Sequence, residues 1–499
     1  MSEGRLLTPQ TSCCGRVNRR VFLADCGMGF TGLVLGAMLQ RDNPMLFGNS
    51  TGLWAPPDGK PHFAPKAKSV IWLFMLGGVS HVDTFDPKPA LNKYAGKTID
   101  ETPFKNVLDS PFTKKNVKEF VAGDRKMMKT IFPMQVGYKK YGQGGVEISD
   151  WWPEVGSCID DLALIRSLWT TDNDHAAQLQ FHTGRHLFDG IFPSIGSWVH
   201  YGLGSLNDNL PQFIVLGEPS SPCCGGTMTF GANYLGPEHS GVQLEVDPNN
   251  PLPFAFPGSD VYKEEQQKEF QFVERLNRAA EVKYPDDPVV RARIKSYELA
   301  FRMQTTIPQI FNFKEEGEAT EKLYGLDQKN TKSFGQTLLT ARRLVEKGVR
   351  FVQVFHGEGK NRWDAHSELQ KTHSELCAEV DKPIAGLIKD LKQHGLLDET
   401  LVVWATEFGR TPGVEGAKGG RDHHPFAFSV WMAGGGIKPG VVHGATDELG
   451  FHAVEQRHYV TDVHATVLQQ LGLDPRKLEV PGQKRLEIDF GKPIQEIIA

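Results

Sequence analysis

The sequence predicts an α/β protein built around a mainly parallel sheet. Short apolar runs that are typical of buried strands alternate along the chain with longer stretches that have helical periodicity. The clearest strands are SVIWLFML at 69–76, VRFVQVF at 349–355 and LVVW at 401–404. Because runs of this kind are typical of strands covered on both faces, the alternation indicates one sheet with helices on each side.

The other elements continue this alternation, and a segment rich in Gly and Pro at 220–258 is predicted as loops. That segment and the helices after it, about 220–330, are expected to be an insertion into the core. In chain order we predict a strand at 69–76, a helix at 152–159, a strand at 163–167, a helix at 176–183 with Asp174 as its N-cap, a strand at 211–217, helices within 260–304, a helix at 334–347, a strand at 349–355, a helix at 374–394, strands at 401–404 and 426–432, and a helix at 462–471.

Composition places the chain among ordinary globular proteins. Its 499 residues are 39% hydrophobic and 23% charged, and the formal net charge is −5. An acidic chain without a basic patch argues against a nucleic-acid-binding surface. We therefore expect no nucleic-acid partner.

The first 40 residues carry the pattern of an export signal. Arg19 and Arg20 directly precede a stretch, 22–39, that is apolar but rich in glycine and contains Asp25. The alternative is a membrane anchor, but this stretch is only weakly hydrophobic. We predict a twin-arginine signal at 1–40, a linker at 41–66 and a domain at 67–499, which implies a periplasmic or extracellular protein with no stable membrane span after signal removal.

Polar residues with metal-binding chemistry follow several of the predicted strands. Because parallel strands end at one edge of a sheet, these clusters are expected to converge. Mixed carboxylate and imidazole ligands suit zinc or manganese, and carboxylate-rich sites suit magnesium or calcium. The alternative is a set of polar loops facing water. The candidates are His81 and Asp83, the loop Thr170 to His175, Asp364 and His366, and Glu407 with Asp422, His423 and His424.

Four further motifs stand out in the sequence: GGVSHVDTFDPKP at 77–89, WDAH at 363–366, TEFGR at 406–410 and GRDH at 420–423. Together they resemble the domain-of-unknown-function family 1501, which is sulfatase-like and exported by the twin-arginine route. The resemblance covers about residues 67–475 and extends to the alkaline phosphatase superfamily. It implies an alkaline-phosphatase-like fold and a divalent metal that assists hydrolysis of sulfate or phosphate esters, of small molecules or of polysaccharides.

The same resemblance implies roles for individual residues. Asp364, His366, Glu407 and His423 match metal ligands, with Asp83 and His81 as further candidates. The catalytic nucleophile is expected near Thr170, Thr171 or His175. The chain departs from the superfamily pattern at Phe408, where a ligand histidine is expected, and at Gly77 or Gly78, where an aspartate is expected. These departures leave a second hypothesis open, a non-catalytic exported binding protein with a degenerate site.

Overall fold

A computed structural model describes residues 57–112, 128–247, 262–283 and 288–499. The strands are β1 Ser69–Met75, β2 Tyr138–Tyr141, β3 Val146–Ser149, β4 Leu162–Trp169, β5 Phe213–Leu216, β6 Val242–Leu244, β7 Phe351–His356, β8 Thr400–Thr406, β9 Gly409–Arg410, β10 His423–His424, β11 Phe428–Ala433, β12 Val441–His443, β13 Ala445–Thr446, β14 Ala453–Glu455 and β15 His458–Tyr459.

The α-helices alternate with these strands, and single turns of 3₁₀-helix, such as His81–Asp83 and Gln495–Ile497, connect many of them. The helices are α1 Pro89–Lys93, α2 Pro153–Gly156, α3 Ala177–Thr183, α4 Ile195–Leu203, α5 Lys263–Lys283, α6 Pro288–Ile310, α7 Glu318–Leu323, α8 Lys332–Glu346, α9 Leu369–Gln393, α10 Val460–Gln470 and α11 Glu487–Phe490. Among the helices of the described ranges, none combines the length and the apolar character that a membrane span requires.

Nine strands form the central sheet, in the order β12-β4-β11-β8-β1-β7-β5-β6, with β15 also paired to β4. The pairs β1–β7, β1–β8, β5–β7, β5–β6, β4–β12 and β4–β15 are parallel. Only β11 is antiparallel to its neighbours, β4 and β8. The prediction of a mainly parallel sheet flanked by helices is therefore confirmed.

The sheet is buried on both faces, as the unbroken apolar runs predict. Alternate residues of β1 enter two separate cores: Ile71 and Leu73 pack with residues of α8 and α9, whereas Val70 and Trp72 pack with residues of α4 and α10. All of β1 is buried. A strand with this environment has no polar face, and for that reason its sequence shows no alternation.

The structure differs from the sequence predictions mainly at element ends. Helix α9 begins five residues before the predicted start at 374, at Leu369. Asp174 is not the N-cap of α3, because Ala176 occupies that position and the Asp174 carboxylate instead accepts from the backbone N–H of His175. The predicted signal at 1–40 and most of the linker at 41–66 lie outside the described residues. The domain and insertion boundaries stay predictions.

His182 and His373 are two of the histidines that this core encloses. His182 donates its Nδ1–H to the carbonyl of Gln178 and packs against Phe74, with 4.4 Å between ring centroids. His373 accepts the backbone N–H of Ser80 at Nε2. Burial lowers the pKa of each from 6.5 to about 3, with a nearby guanidinium adding to the effect at His373. Both rings are therefore neutral in the folded protein over most of the acidic range.

We expect these two histidines to make the fold sensitive to mild acid. Below pH 6.5 these two histidines are protonated in the unfolded chain but stay neutral in the folded protein. The free energy of unfolding therefore falls as pH falls from 6.5 toward 3. Each ring should contribute a loss of about 2 kcal/mol between pH 6.5 and 4.5. Chemical denaturation across this range, compared between wild type and His373→Gln, measures one ring's share. Equal pH slopes in the two proteins would contradict the expectation.

Candidate metal centre

One edge of the sheet gathers the candidate residues. The loops that follow β4, β7 and β8 all leave at this edge because those strands run in the same direction. Strand β11 is antiparallel, so its amino end lies at the same edge. The segment from 407 to 427 therefore never crosses the sheet, and it returns its histidines to the place where β8 ends.

Asp364 lies at the middle of a group of three histidines. Its Oδ1 is 2.9 Å from Nε2 of His366 and 3.1 Å from Nε2 of His423. Its Oδ2 is 3.1 Å from Nε2 of His175. The Nε2 atoms of His366 and His423 are 3.1 Å apart. We call Asp364, His175, His366 and His423 the Asp364 cluster.

The other ring nitrogen of each histidine faces a hydrogen-bond acceptor. Nδ1 of His175 lies 3.1 Å from Glu407, and Nδ1 of His366 lies 2.5 Å from Glu415. Nδ1 of His423 donates to the backbone carbonyl of Asn173 over 2.8 Å. An acceptor at Nδ1 fixes the ring and leaves the Nε2 lone pair for a cation, which is the usual arrangement behind metal-binding histidines.

The spacing of the donor atoms also suits a small cation. Oδ1 of Asp364 and the Nε2 atoms of His366 and His423 form a nearly equilateral triangle with sides of 2.9, 3.1 and 3.1 Å. Tetrahedral ligands at 2.0–2.1 Å from zinc lie about 3.3 Å from one another. Two overlapping ligand groups meet at His423 here, one with His175 and Asp364 and one with His366 and Asp422. The residues present therefore fit a divalent metal.

Charge in the cluster is already partly compensated by protons. Burial lowers the pKa of His175, but hydrogen bonds to Asp364 and Glu407 outweigh it and raise that pKa to about 9. The hydrogen bond to Asp364 also raises the pKa of His366, whereas burial holds the pKa of His423 well below its ordinary value. Burial disfavours the charged form of Asp364, yet the three histidines lower its pKa overall. A cation held by Asp364, His366 and His423 would displace the proton that His366 shares with Asp364.

Two neighbours limit what the cluster can hold. Arg410 is fully buried and donates to Oδ1 of Asp364 over 2.7 Å, so a cation would share this carboxylate with a guanidinium. Phe408, also fully buried, packs its ring 4.5 Å from the ring of His423 and 5.7 Å from that of His175. An apolar ring at this position covers one side of the cluster and favours a single cation over a pair.

Glu407 supports the cluster from behind. It is fully buried and accepts from the backbone N–H of Gly77 over 2.8 Å, from Gln178 over 3.2 Å and from Thr406 over 3.1 Å. Its contact with the cluster is made through Nδ1 of His175. Geometry therefore favours a role in orienting His175 over the predicted role of direct ligand.

Asp83 and His81 lie apart from the Asp364 cluster. Asp83 is fully buried and accepts from Nε of Arg421 over 2.8 Å, from Ser80 over 2.6 Å and from the backbone of Gln135 over 2.8 Å. His81 makes its Nε2 contact with the carbonyl of Gly450, 2.8 Å away. These contacts favour structural roles for the two residues, and their prediction as metal ligands stays untested.

Of the three predicted catalytic residues, Thr170, Thr171 and His175, one lies in the Asp364 cluster and two point elsewhere. The hydroxyl of Thr170 donates to Gln180 over 2.5 Å, and that of Thr171 accepts from the Gln180 amide over 2.7 Å. These contacts direct both threonines toward α3, whereas His175 belongs to the Asp364 cluster. Geometry therefore favours His175 among the three, and the assignment remains a prediction.

Sequence reasoning missed three of the groups that orient or neutralise the cluster. Glu415 lies in the glycine-rich loop after Arg410, and the sequence gives no signal for it because its role depends on the fold of that loop. Gln178 lies on α3 one turn after His175 and contacts Glu407. Arg410 ends the TEFGR motif at 406–410, and its place three residues after Glu407 is the one signal in the sequence for a contact with the cluster.

The part of the chain that forms the sheet and the Asp364 cluster also matches a known protein family. The sequence profile of the family described as "Protein of unknown function (DUF1501)" matches residues 67–498. The chain belongs to this family. The predicted family is thereby confirmed, and the DUF1501 match includes the whole Asp364 cluster. None of the curated proteins matches the chain.

Several solved structures are similar to this DUF1501 protein at low identity. A protein in the alkaline phosphatase superfamily from Vibrio parahaemolyticus is 11% identical over 97% of this chain and 80% of its own, with a TM-score of 0.37. A sulfatase from Pseudoalteromonas sp. is 12% identical over 94% and 75%, with a TM-score of 0.33. A phosphonate monoester hydrolase from Silicibacter pomeroyi is 11% identical over 69% and 71%, with a TM-score of 0.32. Likenesses this distant do not define the activity of the chain.

Proposed function

We propose that this DUF1501 protein is an exported, metal-dependent hydrolase of sulfate or phosphate esters. The observation that carries the proposal is the convergence of three Nε2 atoms on the Asp364 carboxylate, each ring being held by an acceptor at Nδ1. Imidazole with one carboxylate is the donor set that zinc or manganese takes more readily than calcium or magnesium. A polar loop that only faces water has no reason to hold three imidazole rings in fixed orientations around one carboxylate.

A divalent ion in this place would stabilise the charge that builds on sulfuryl or phosphoryl oxygens as the ester is cleaved. Asp364, His366 and His423 would hold the ion. Glu407, through its contact with Nδ1, would keep the His175 ring directed at Asp364. Thr170, Thr171 and His175 remain the candidates for the catalytic group, and the position of His175 in the cluster supports it first.

The proposed substrate is a small-molecule or polysaccharide ester met outside the cytoplasm. Support for export comes from the residue pattern at 18–39, where an arginine pair precedes a weakly apolar, glycine-rich stretch. The twin-arginine route carries proteins that have already folded, which suits a chain that must keep a bound metal.

A second function, non-catalytic binding in an exported protein, has specific support of its own. The guanidinium of Arg410 already neutralises Asp364, and the Phe408 ring covers one side of His423. Protonated His175 and Arg410, which contact the two oxygens of Asp364, would give the cluster a cationic character without a metal. Such a site would bind an anionic sugar or ester and leave it intact.

Metal content and turnover together decide between the two functions. For the hydrolase we expect about one equivalent of zinc or manganese in protein purified from its native export compartment, and metal-dependent release of the leaving group from aryl sulfates or aryl phosphates. Chelation should abolish turnover, and adding back the metal should restore it. Native protein without metal, or loaded protein that binds these esters and turns over none of them, would overturn the hydrolase and select the binding protein.

A further inference from the structure

A second group of histidines lies along the edge of β4 that faces away from β11. Strands β12 and β15 both pair in parallel with β4, one after the other along its outer edge. His443 ends β12 opposite Ile165, and His458 begins β15 opposite Leu168. The register therefore brings two histidines from separate segments next to each other on the edge of the sheet.

The side chains of these histidines face each other through the same ring atom. The Nε2 atoms of His443 and His458 are 2.8 Å apart, and the ring centroids are 5.0 Å apart. His443 is buried, so its ring cannot turn away into solvent. Two facing Nε2 atoms satisfy each other only if one carries a proton, and a bound cation would satisfy both.

Two carboxylates complete the arrangement. Asp462, in the first turn of α10, lies 3.1 Å from Nδ1 of His458 and is itself held by the backbone N–H of Lys492 over 2.8 Å. It can fix the tautomer that leaves the Nε2 lone pair of His458 free. Oε2 of Glu496 lies 4.0 Å from Nε2 of His443, and its side chain is 53% exposed. Glu496 thus offers a third ligand on the solvent side.

We propose that His443, His458 and Glu496 form a second metal site, specific for a transition metal such as zinc. We call it the edge site. Its donor atoms are compatible with one ion, and two imidazoles with one carboxylate form a three-ligand set that leaves a position for water. The ion would join β12 and β15 to the C-terminal turn Gln495–Ile497. The proposal is independent of the hydrolase function, since it shares no residue with the Asp364 cluster.

The test is zinc binding measured by equilibrium dialysis with elemental analysis, together with thermal unfolding. A background variant, His366→Ala with His423→Ala, removes binding at the Asp364 cluster. In that background we expect about one equivalent of zinc and a rise in Tm of about 3 °C at saturating zinc. Adding His458→Ala should abolish both. Glu496→Gln, an exposed change that does not threaten the fold, should weaken zinc binding at least 10-fold.

A matched control comes from another histidine pair. His200 and His239 have ring centroids 4.8 Å apart, but no carboxylate joins them in a ligand group among the described residues. His239→Ala should leave the zinc stoichiometry of the background variant unchanged. The edge site is overturned if the background variant binds no zinc, or if its zinc binding survives both His458→Ala and Glu496→Gln.

Discussion

His366→Ala is expected to remove the metal from the Asp364 cluster and to lower kcat/KM for ester hydrolysis at least about 100-fold. Changing a group behind a metal ligand already costs about 10- to 100-fold in affinity or activity, and loss of a ligand should cost more. The side chain of His366 is 35% exposed, so its truncation leaves no large cavity in the core. The effect on activity should therefore appear without a matching loss of stability.

The matched control for this change is His394→Ala. His394 is also a partly exposed histidine, 47% accessible, and its Nδ1 also lies 3.0 Å from a carboxylate, that of Asp390. It follows the end of α9 and contacts none of the cluster residues. We expect wild-type metal content and activity from His394→Ala. If His366→Ala keeps its metal and hydrolyses aryl esters at the wild-type rate, the Asp364 cluster is not the active centre.

The convergence of the cluster could be predicted because it depends on strand direction alone. Residues placed after β4, β7 and β8 must meet when those strands run the same way, whatever their side chains do afterwards. His175, Asp364 and His366 are each such residues. His423 reaches the same edge for a different reason, the antiparallel course of β11. A strand buried on both faces shows the same unbroken apolar pattern whether it is parallel or antiparallel to its neighbours. The reversed direction of β11 could therefore not be predicted from residues 426–432.

The directions of individual side chains could not be predicted in the same way. Glu407 and Asp364 both follow strands, yet the backbone N–H of Gly77 draws Glu407 away from the cluster's centre. Asp83 and Arg421 are 338 positions apart and pair in the interior. A contact of that kind depends on how two loops pack, and a single sequence contains no periodicity that reports it. For this reason Asp83 looked like a ligand in the sequence and has the contacts of a structural residue in the fold.

The Asp83–Arg421 pair leads to the largest expected effect on stability. Both side chains are fully buried, and the guanidinium also donates to backbone carbonyls of Thr411, Pro412 and Pro133. Burial favours the neutral acid, but Arg421 outweighs burial and lowers the pKa of Asp83. Arg421→Met would leave a carboxylate in the interior without its counter-charge. We expect this change to lower the free energy of unfolding by about 3–5 kcal/mol.

A double-mutant cycle separates this pair from the bonds that each partner makes elsewhere. Asp83→Asn, Arg421→Met and the double variant are compared by denaturant unfolding. If the loss comes from an unpaired buried charge, the double variant should be more stable than the sum of the single losses predicts, by about 2–3 kcal/mol. The metal content of folded Asp83→Asn should equal that of wild type, because Asp83 contacts Arg421 and none of the cluster histidines. Strictly additive losses would show that the ion pair itself does not stabilise the fold. Loss of metal in Asp83→Asn would instead support the sequence-based prediction that Asp83 is a metal ligand.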